Sequence, residues 1–139
     1  MPTTSARRLA RATAAWGILF AVVHVYWAAG GEAGMHGKPA DTVGAQLYIG
    51  MIALLGLTGA GVARAAVDHP HPAFTRLARA GGVALLLGVA IGTGRWLSQW
   101  SLEGDGAGDV AITLYFLLGG VLFNLLAARA PGAGAPARS

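Results

Sequence analysis

Three side chains that can carry acid–base or anion-binding chemistry lie inside apolar stretches of this sequence or at their ends. His24 and Glu32 belong to the segment HVYWAAGGE, and Arg95 lies in a later apolar stretch. An imidazole changes charge near neutral pH and a carboxylate can exchange protons with a substrate, so that His24 and Glu32 could act as acid and base. Arg95 could stabilise negative charge, because an arginine within a bilayer is usually paired or functional. These three residues are the candidate catalytic residues.

A structural interpretation of the same residues stays open. A neutral His24 on a packed helix face can simply bond to a backbone carbonyl, and Arg95 can extend along its helix to the headgroups. Tyr26 and Trp27 fit an aromatic belt that marks the membrane surface. The remaining histidines lie in connecting segments, and the acidic segment at 103–109 lacks the terminal glutamate of a calcium loop. We therefore predict no metal site and no cofactor.

Polar residues fall on the small-residue face of each apolar stretch. Ala84, Gly88 and Arg95 lie on one helical face, and His24 continues a similar stripe that begins at Gly17. Membrane helices associate through small residues, so that both polar side chains are predicted to point at neighbouring helices. We expect one polar layer in the outer leaflet that binds a ligand. The predicted ligand-binding residues are His24, Trp27, Gln46, Tyr48, Arg95, Gln99 and Tyr115.

The elements that must position these residues are membrane helices. The chain has 139 residues, of which 55% are hydrophobic and 12% charged, and it contains no cysteine. A soluble domain normally carries about twice that share of charge. Four apolar stretches, at about 12–30, 43–63, 81–97 and 110–128, are long enough to cross a bilayer as helices. The sequence predicts an all-α, integral membrane four-helix bundle over 1–130, followed by a disordered cytoplasmic tail at 131–139.

The arginines predict the orientation of the bundle. Lys38 and Arg95 fall on one side of the predicted membrane, and most of the acidic residues accompany them. The other side carries Arg7, Arg8, Arg11, Arg64, Arg76, Arg79, Arg129 and Arg138. The positive-inside rule then places both termini in the cytoplasm, and the net charge of +4 needs no nucleic-acid partner. A cleaved signal peptide is the competing interpretation of the first apolar stretch.

Two halves of the chain resemble each other. The segment RLARA at 8–12 recurs at 76–80, and each copy precedes an apolar stretch that runs outward. Similar residues also recur between the second and fourth stretches, among them Tyr48 and Tyr115. The common register predicts a tandem duplication of a two-helix hairpin, with any ligand bound where the halves meet. The alternative is that basic residues followed by an apolar stretch look alike by necessity.

The motif around His24 also resembles a known family. His24, Tyr26, Trp27, Ala28, Gly30 and Gly31 match the His-x-Tyr-Trp-Ala-x-Gly-Gly signature of domain-of-unknown-function family 3995. That family consists of small bacterial membrane proteins that are common in actinobacteria. The resemblance implies a four-helix protein of the bacterial inner (cytoplasmic) membrane and no assigned activity.

Three functions are compatible with these patterns. The first is a non-enzymatic membrane module that binds a lipid-like or small anionic ligand, or a partner helix, at the polar layer. The second is a membrane enzyme that acts on a lipid or isoprenoid with His24 and Glu32 as acid and base. The third is a proton-coupled transporter, which the scarcity of polar groups in the inner half disfavours. The predicted partners are the lipid bilayer, a lipid or anionic ligand, and a homodimer or membrane partner protein.

Overall fold

The protein folds into four α-helices. The computed structural model describes residues 3–33, 41–69, 71–98 and 106–130, with the side chains of 92–98 and 106–109 excepted. Helix α1 spans Thr4–Ala28, α2 spans Val43–Asp68, α3 spans Pro72–Ser98 and α4 spans Gly106–Arg129. All four are long and apolar enough to cross a membrane. The predicted all-α architecture is confirmed, whereas the predicted tail at 131–139 lies outside the described residues.

The helices begin and end at local signals. The side-chain hydroxyls of Thr3 and Thr42 accept hydrogen bonds from the backbone N–H groups of Ala6 and Ala45, both at 3.2 Å, and so cap α1 and α2. Helix α3 starts with Pro72, whose fixed φ angle suits the first helical position. Helices α1 and α3 start well before the apolar stretches predicted at residues 12 and 81, because the segment RLAR that precedes each stretch consists of good helix formers.

A glycine ends α1. Gly30 has a φ angle of +93°, in the left-handed region that side chains with a Cβ rarely adopt. The N–H of Gly31 then bonds to the carbonyl of Tyr26, and the N–H of Gly30 bonds to that of Trp27, both at 3.0 Å. This pair of bonds is a Schellman motif, which satisfies carbonyls left over at the end of the helix.

The helices pack as two hairpins. Helix α1 packs mainly against α2, and α3 packs mainly against α4. Glycines allow the close approach in each hairpin: a Cβ on Gly17 would lie 2.7 Å from the carbonyl oxygen of Gly56, and one on Gly120 would lie 3.2 Å from that of Gly82. The second glycine pair lies three residues from the positions that the sequence repeat assigns to it. The tandem duplication therefore stays a prediction.

The bundle is packed more tightly at one end than at the other. We call the end that holds the short α2–α3 link at 69–71 the link end, and the opposite end, where α1 and α3 finish, the loop end. Among the described side chains, the buried ones in α2 lie at 53–67, those in α3 at 75–82 and those in α4 at 119–127. Buried alanines at the link end, such as Ala63, Ala66 and Ala78, bring the helices together. Towards the loop end, α2, α3 and α4 bury less of their surface.

The outer surface of the bundle is apolar. Large side chains such as Leu47, Leu54, Leu87 and Leu114 are more than half exposed. A large exposed apolar surface is unfavourable in water and is the expected surface of a helix in lipid. The four helices therefore form a small multi-pass membrane protein whose surface contacts the bilayer.

Candidate functional site

Aromatic rings form a continuous column along α1 and α4. In α1, Trp27, His24, Phe20 and Trp16 follow one another with ring centroids 5.0, 4.1 and 5.3 Å apart. The column continues from Trp16 to Phe123 of α4, whose ring meets it edge-on at 6.1 Å. The α1 residues share one helical face because they are spaced by three or four positions. We call these five residues the aromatic column; it extends from the loop end into the middle of the bundle.

Trp16 and Tyr115 join the two hairpins. The indole N–H of Trp16 donates to the backbone carbonyl of Tyr115 at 3.0 Å, and the phenol of Tyr115 donates to the backbone carbonyl of Trp16 at 3.1 Å. Their rings stack with centroids 5.1 Å apart. The indole has room because Gly119 carries no Cβ at the point where it packs on α4. Both polar groups of this pair are thus satisfied within the protein.

His24 is held by its own helix. Its Nδ1 atom lies 2.8 Å from the backbone carbonyl of Phe20, and the ring stacks on the Phe20 ring. Nδ1 must carry the proton in order to donate to a carbonyl, which leaves Nε2 of the neutral ring as a hydrogen-bond acceptor. Glu32 is exposed, and no hydrogen bond or ion pair joins it to His24 in the described part of the chain. The structure therefore does not couple this histidine to Glu32.

The segment that follows α1 folds back over the end of the helix. The indole N–H of Trp27 donates to the carbonyl of Ala33 at 3.0 Å, and the Tyr26 hydroxyl accepts from the Ala33 N–H at 3.3 Å. Both aromatic residues use their polar atoms to hold this segment at the loop end. Their structural role is compatible with the predicted aromatic belt.

A groove opens between α2 and α3, where the two hairpins meet. Its volume is about 600 Å³. Phe20 and Trp16 of the aromatic column form its floor together with Phe116 and Phe123 of α4. Its walls are formed by Ile52, Leu55, Gly59 and Val62 of α2 and by Leu77, Gly81, Ala84, Leu85, Gly88 and Val89 of α3. We call this space the interhairpin groove.

Few polar side chains border the groove. The Thr58 hydroxyl donates to the carbonyl of Leu54 at 2.8 Å, and the Trp16 N–H is bonded to Tyr115. Thr113 also lines the groove, and its hydroxyl has no hydrogen-bond partner among the described residues. Among the described side chains, no charged one lines the groove. Its surface can therefore hold an apolar group, with the Thr113 hydroxyl as a polar contact.

The structure brings together some of the predicted ligand-binding residues. His24 contacts Trp27 directly and is linked to Tyr115 through Phe20, whose ring centroid lies 6.3 Å from that of Tyr115. Tyr48 is 61% exposed on α2 and makes no ring contact with this group among the described residues.

Gln46 and the backbone of Arg95 lie towards the loop end. Gln46 is exposed near the start of α2. Arg95 lies on α3, seven residues beyond Gly88, with its side chain outside the described part, and Gln99 lies outside the described residues. The binding roles of all these residues stay predictions.

Sequence reasoning missed the groove floor. Trp16, Phe20, His24 and Trp27 recur on one face of α1, and this spacing could have revealed the aromatic column. Gly17 and Ala21 instead favoured the prediction that the small-residue stripe beside these rings is the packed face of α1. Phe116 and Phe123 on α4 carry a weaker signal, because α4 is apolar on all sides.

Comparisons with known protein families, curated proteins and solved structures found no match to this chain. The arrangement of its residues is therefore the basis for any functional conclusion.

Proposed function

We propose that the protein is a non-enzymatic membrane module that binds a lipid-like ligand, with the apolar chain of the ligand in the interhairpin groove. The observation that carries this proposal is the groove itself: an apolar space of about 600 Å³ with an aromatic floor, between two membrane hairpins. Known ligand pockets have volumes of about 300–1,000 Å³ and are lined mainly by apolar and aromatic side chains.

Packing is the force that would select this ligand. Bulk lipid is as apolar as the groove, so that transfer of a chain from lipid to protein gains little from the hydrophobic effect. A chain that fits the groove instead gains dispersion contacts with Phe20, Phe116 and Phe123 on the floor. The shape of the groove therefore determines which chains stay bound.

The polar end of the ligand is assigned to the loop end. The Nε2 atom of His24 is an acceptor there for a hydroxyl or amide group, since Nδ1 is used by Phe20. Arg95 brings a positive charge to the same end of α3 and would bind an anionic headgroup. In this arrangement, the headgroup binds to the predicted polar layer and the apolar chain lies in the adjacent groove.

The enzyme and transporter hypotheses have less support. An acid–base pair would need a carboxylate in contact with His24, and none contacts it among the described residues. A proton path would need polar side chains along the interior, whereas the groove is bordered by apolar ones. We therefore retain a binding function.

The location of the protein forms part of the proposal. The basic residues at the link end support a multi-pass protein of the bacterial inner membrane with both termini in the cytoplasm. The motif around His24 supports membership of family 3995, on sequence resemblance alone.

Groove-filling substitutions test the proposal. Gly88 lines the groove, and a Cβ added there would meet no atom within 4 Å, so that the larger side chain of Gly88→Leu can start into the groove without a clash at its Cβ. Gly61 on α2 is equally open but lies outside the groove, which makes Gly61→Leu the matched control. We expect mass spectrometry of the purified proteins to find a defined lipid on the wild type and on Gly61→Leu, and its loss from Gly88→Leu. Equal lipid content in all three proteins would contradict the proposal.

A further inference from the structure

We infer that the interhairpin groove binds a single apolar chain and limits its length. The chain enters from the loop end and ends beside Gly81. This inference rests on the proposed function and adds the class of ligand: a single-chain amphiphile whose headgroup lies in the leaflet at the loop end. It is carried by the closed link end of the groove, by its volume and by two open glycines at different depths.

The groove is closed at the link end. Helices α2 and α3 are joined by only three residues, at 69–71, so that the two helix ends lie close together. The groove begins one to two turns from this link, at Val62 and Leu77. Between the link and the groove, the helices are packed by buried residues such as Ala66, Val67 and Thr75. A chain therefore cannot continue through the link end.

The opposite end of the groove lies close to the polar groups of the loop end. Among the described side chains of α3, those that line the groove run from Leu77 to Val89, a length of about 18 Å at the helical rise of 1.5 Å per residue. Its floor at that end includes Phe20, on which His24 stacks. Thr113 lies near the same end, since it is in the first half of α4. A polar headgroup can contact these residues only if the chain points towards the link.

The volume of the groove corresponds to one chain. An apolar cavity of about 150 Å³ holds one benzene molecule, so that about 600 Å³ holds roughly 20–25 carbon atoms. A helix with a diameter of about 10 Å and a length of about 18 Å would need roughly 1,400 Å³. The groove is therefore suited to an acyl or isoprenoid chain, whereas it could not enclose a transmembrane helix.

Two glycines lie at different depths on the same wall. Gly81 and Gly88 are seven residues apart on α3, which places them on one face about 10 Å from each other. A Cβ at either position would meet no atom within 4 Å. Gly81 borders the closed part of the groove and Gly88 the part nearer the loop end. A side chain at Gly81 should therefore shorten the groove, and one at Gly88 should block it.

The experiment titrates delipidated protein with single-chain ligands of graded length and follows binding by native mass spectrometry. One series consists of lysophosphatidylglycerols from lauroyl to stearoyl, and the other consists of farnesyl and geranylgeranyl phosphate. The series that binds more tightly identifies an acyl or an isoprenoid chain. The proteins are the wild type, Gly81→Ala, Gly81→Leu, Gly88→Leu and the control Gly61→Leu, each checked for its thermal unfolding temperature.

We expect Gly81→Leu to prefer a shorter chain than the wild type, with Gly81→Ala between them, and Gly88→Leu to lose about tenfold or more in affinity for every chain. Gly61→Leu should match the wild type. Gly81→Ala keeps the test informative if the leucine variant does not fold. An unchanged length preference in the Gly81 variants, with binding still lost in Gly88→Leu, would overturn the proposed limit on chain length but not the proposed function. Unchanged binding in Gly88→Leu, or a dimer that this substitution dissociates, would overturn the proposed function as well.

Discussion

Trp16 and Tyr115 bond to each other's backbone: the indole N–H donates to one carbonyl at 3.0 Å and the phenol donates to the other at 3.1 Å. The pair connects α1 of the first hairpin to α4 of the second. Trp16 also forms part of the groove floor. The floor is therefore fixed by a contact between hairpins that does not involve α2 and α3, the helices that form the walls of the groove.

Removal of the phenol hydroxyl should weaken the contact between the hairpins. Tyr115→Phe keeps the ring but loses the bond to the Trp16 carbonyl, at an expected cost of about 0.6–1.7 kcal/mol for a hydrogen bond between membrane helices. Unfolding in a denaturing detergent measures this loss. Tyr48→Phe is the matched control, since Tyr48 is exposed and should tolerate the change. Equal stability of the two variants would show that the bond contributes nothing.

A methyl group at Gly17 should separate the helices of the first hairpin. Its Cβ would lie 2.7 Å from the carbonyl oxygen of Gly56, so that the backbones must move apart, at a cost of about 1–3 kcal/mol. Gly50→Ala is the control, because a Cβ there meets no atom within 4 Å and alanine only raises helix propensity. We expect the unfolding temperature to fall for Gly17→Ala and to stay level or rise for Gly50→Ala. A rise in both variants would argue against the close glycine contact.

His24→Phe separates a structural role of this residue from a binding role. Phenylalanine can stack on Phe20 as the imidazole does, but it lacks the Nε2 acceptor. We expect stability to change by less than about 0.5 kcal/mol, while affinity for the single-chain ligand falls about two- to tenfold, as for one hydrogen bond. Thermal unfolding and native mass spectrometry measure the two effects. Lower stability with unchanged affinity would assign His24 a structural role alone.

Arg95 should set the preference for an anionic headgroup. Arg95→Gln is expected to lower affinity for lysophosphatidylglycerol by about tenfold or more, as for a hydrogen bond to a charged group, with little effect on the uncharged monoacylglycerol of the same chain length. Arg79→Gln is the control, because Arg79 is exposed near the link end of the same helix. An equal loss of affinity for both ligands would show that Arg95 does not distinguish them by the charge of the headgroup.

Four membrane helices could be predicted from the sequence because each one corresponds to an apolar stretch of sufficient length and hydropathy. The structure confirms four helices, but α1 and α3 begin at Thr4 and Pro72, earlier than the apolar stretches. Arginines end an apolar stretch without ending a helix, so that hydropathy alone underestimates the helix length. The first apolar stretch was predicted to end at about residue 30, and α1 ends at Ala28, just before Gly30, since a glycine readily adopts the φ angle that this end requires.

The site was less predictable because it depends on packing between distant segments. Tyr115 was predicted to bind a ligand, yet the structure bonds its hydroxyl to the backbone of Trp16, 99 residues away. The groove arises because α2 and α3 separate beyond their short link at 69–71, and it is lined from Val62 of α2 and Leu77 of α3 onward. No local sequence pattern in either helix predicts the separation of α2 from α3.

The most direct test of a single chain in the groove is photocrosslinking with a lysophosphatidylglycerol that carries a diazirine near the end of its acyl chain. Mass spectrometric sequencing of the labelled protein locates the chain end. We predict adducts concentrated on Leu77, Gly81 and their neighbours in the groove, and their loss in Gly88→Leu. Adducts spread over exposed residues such as Leu47 and Leu114, unchanged by that substitution, would contradict the account.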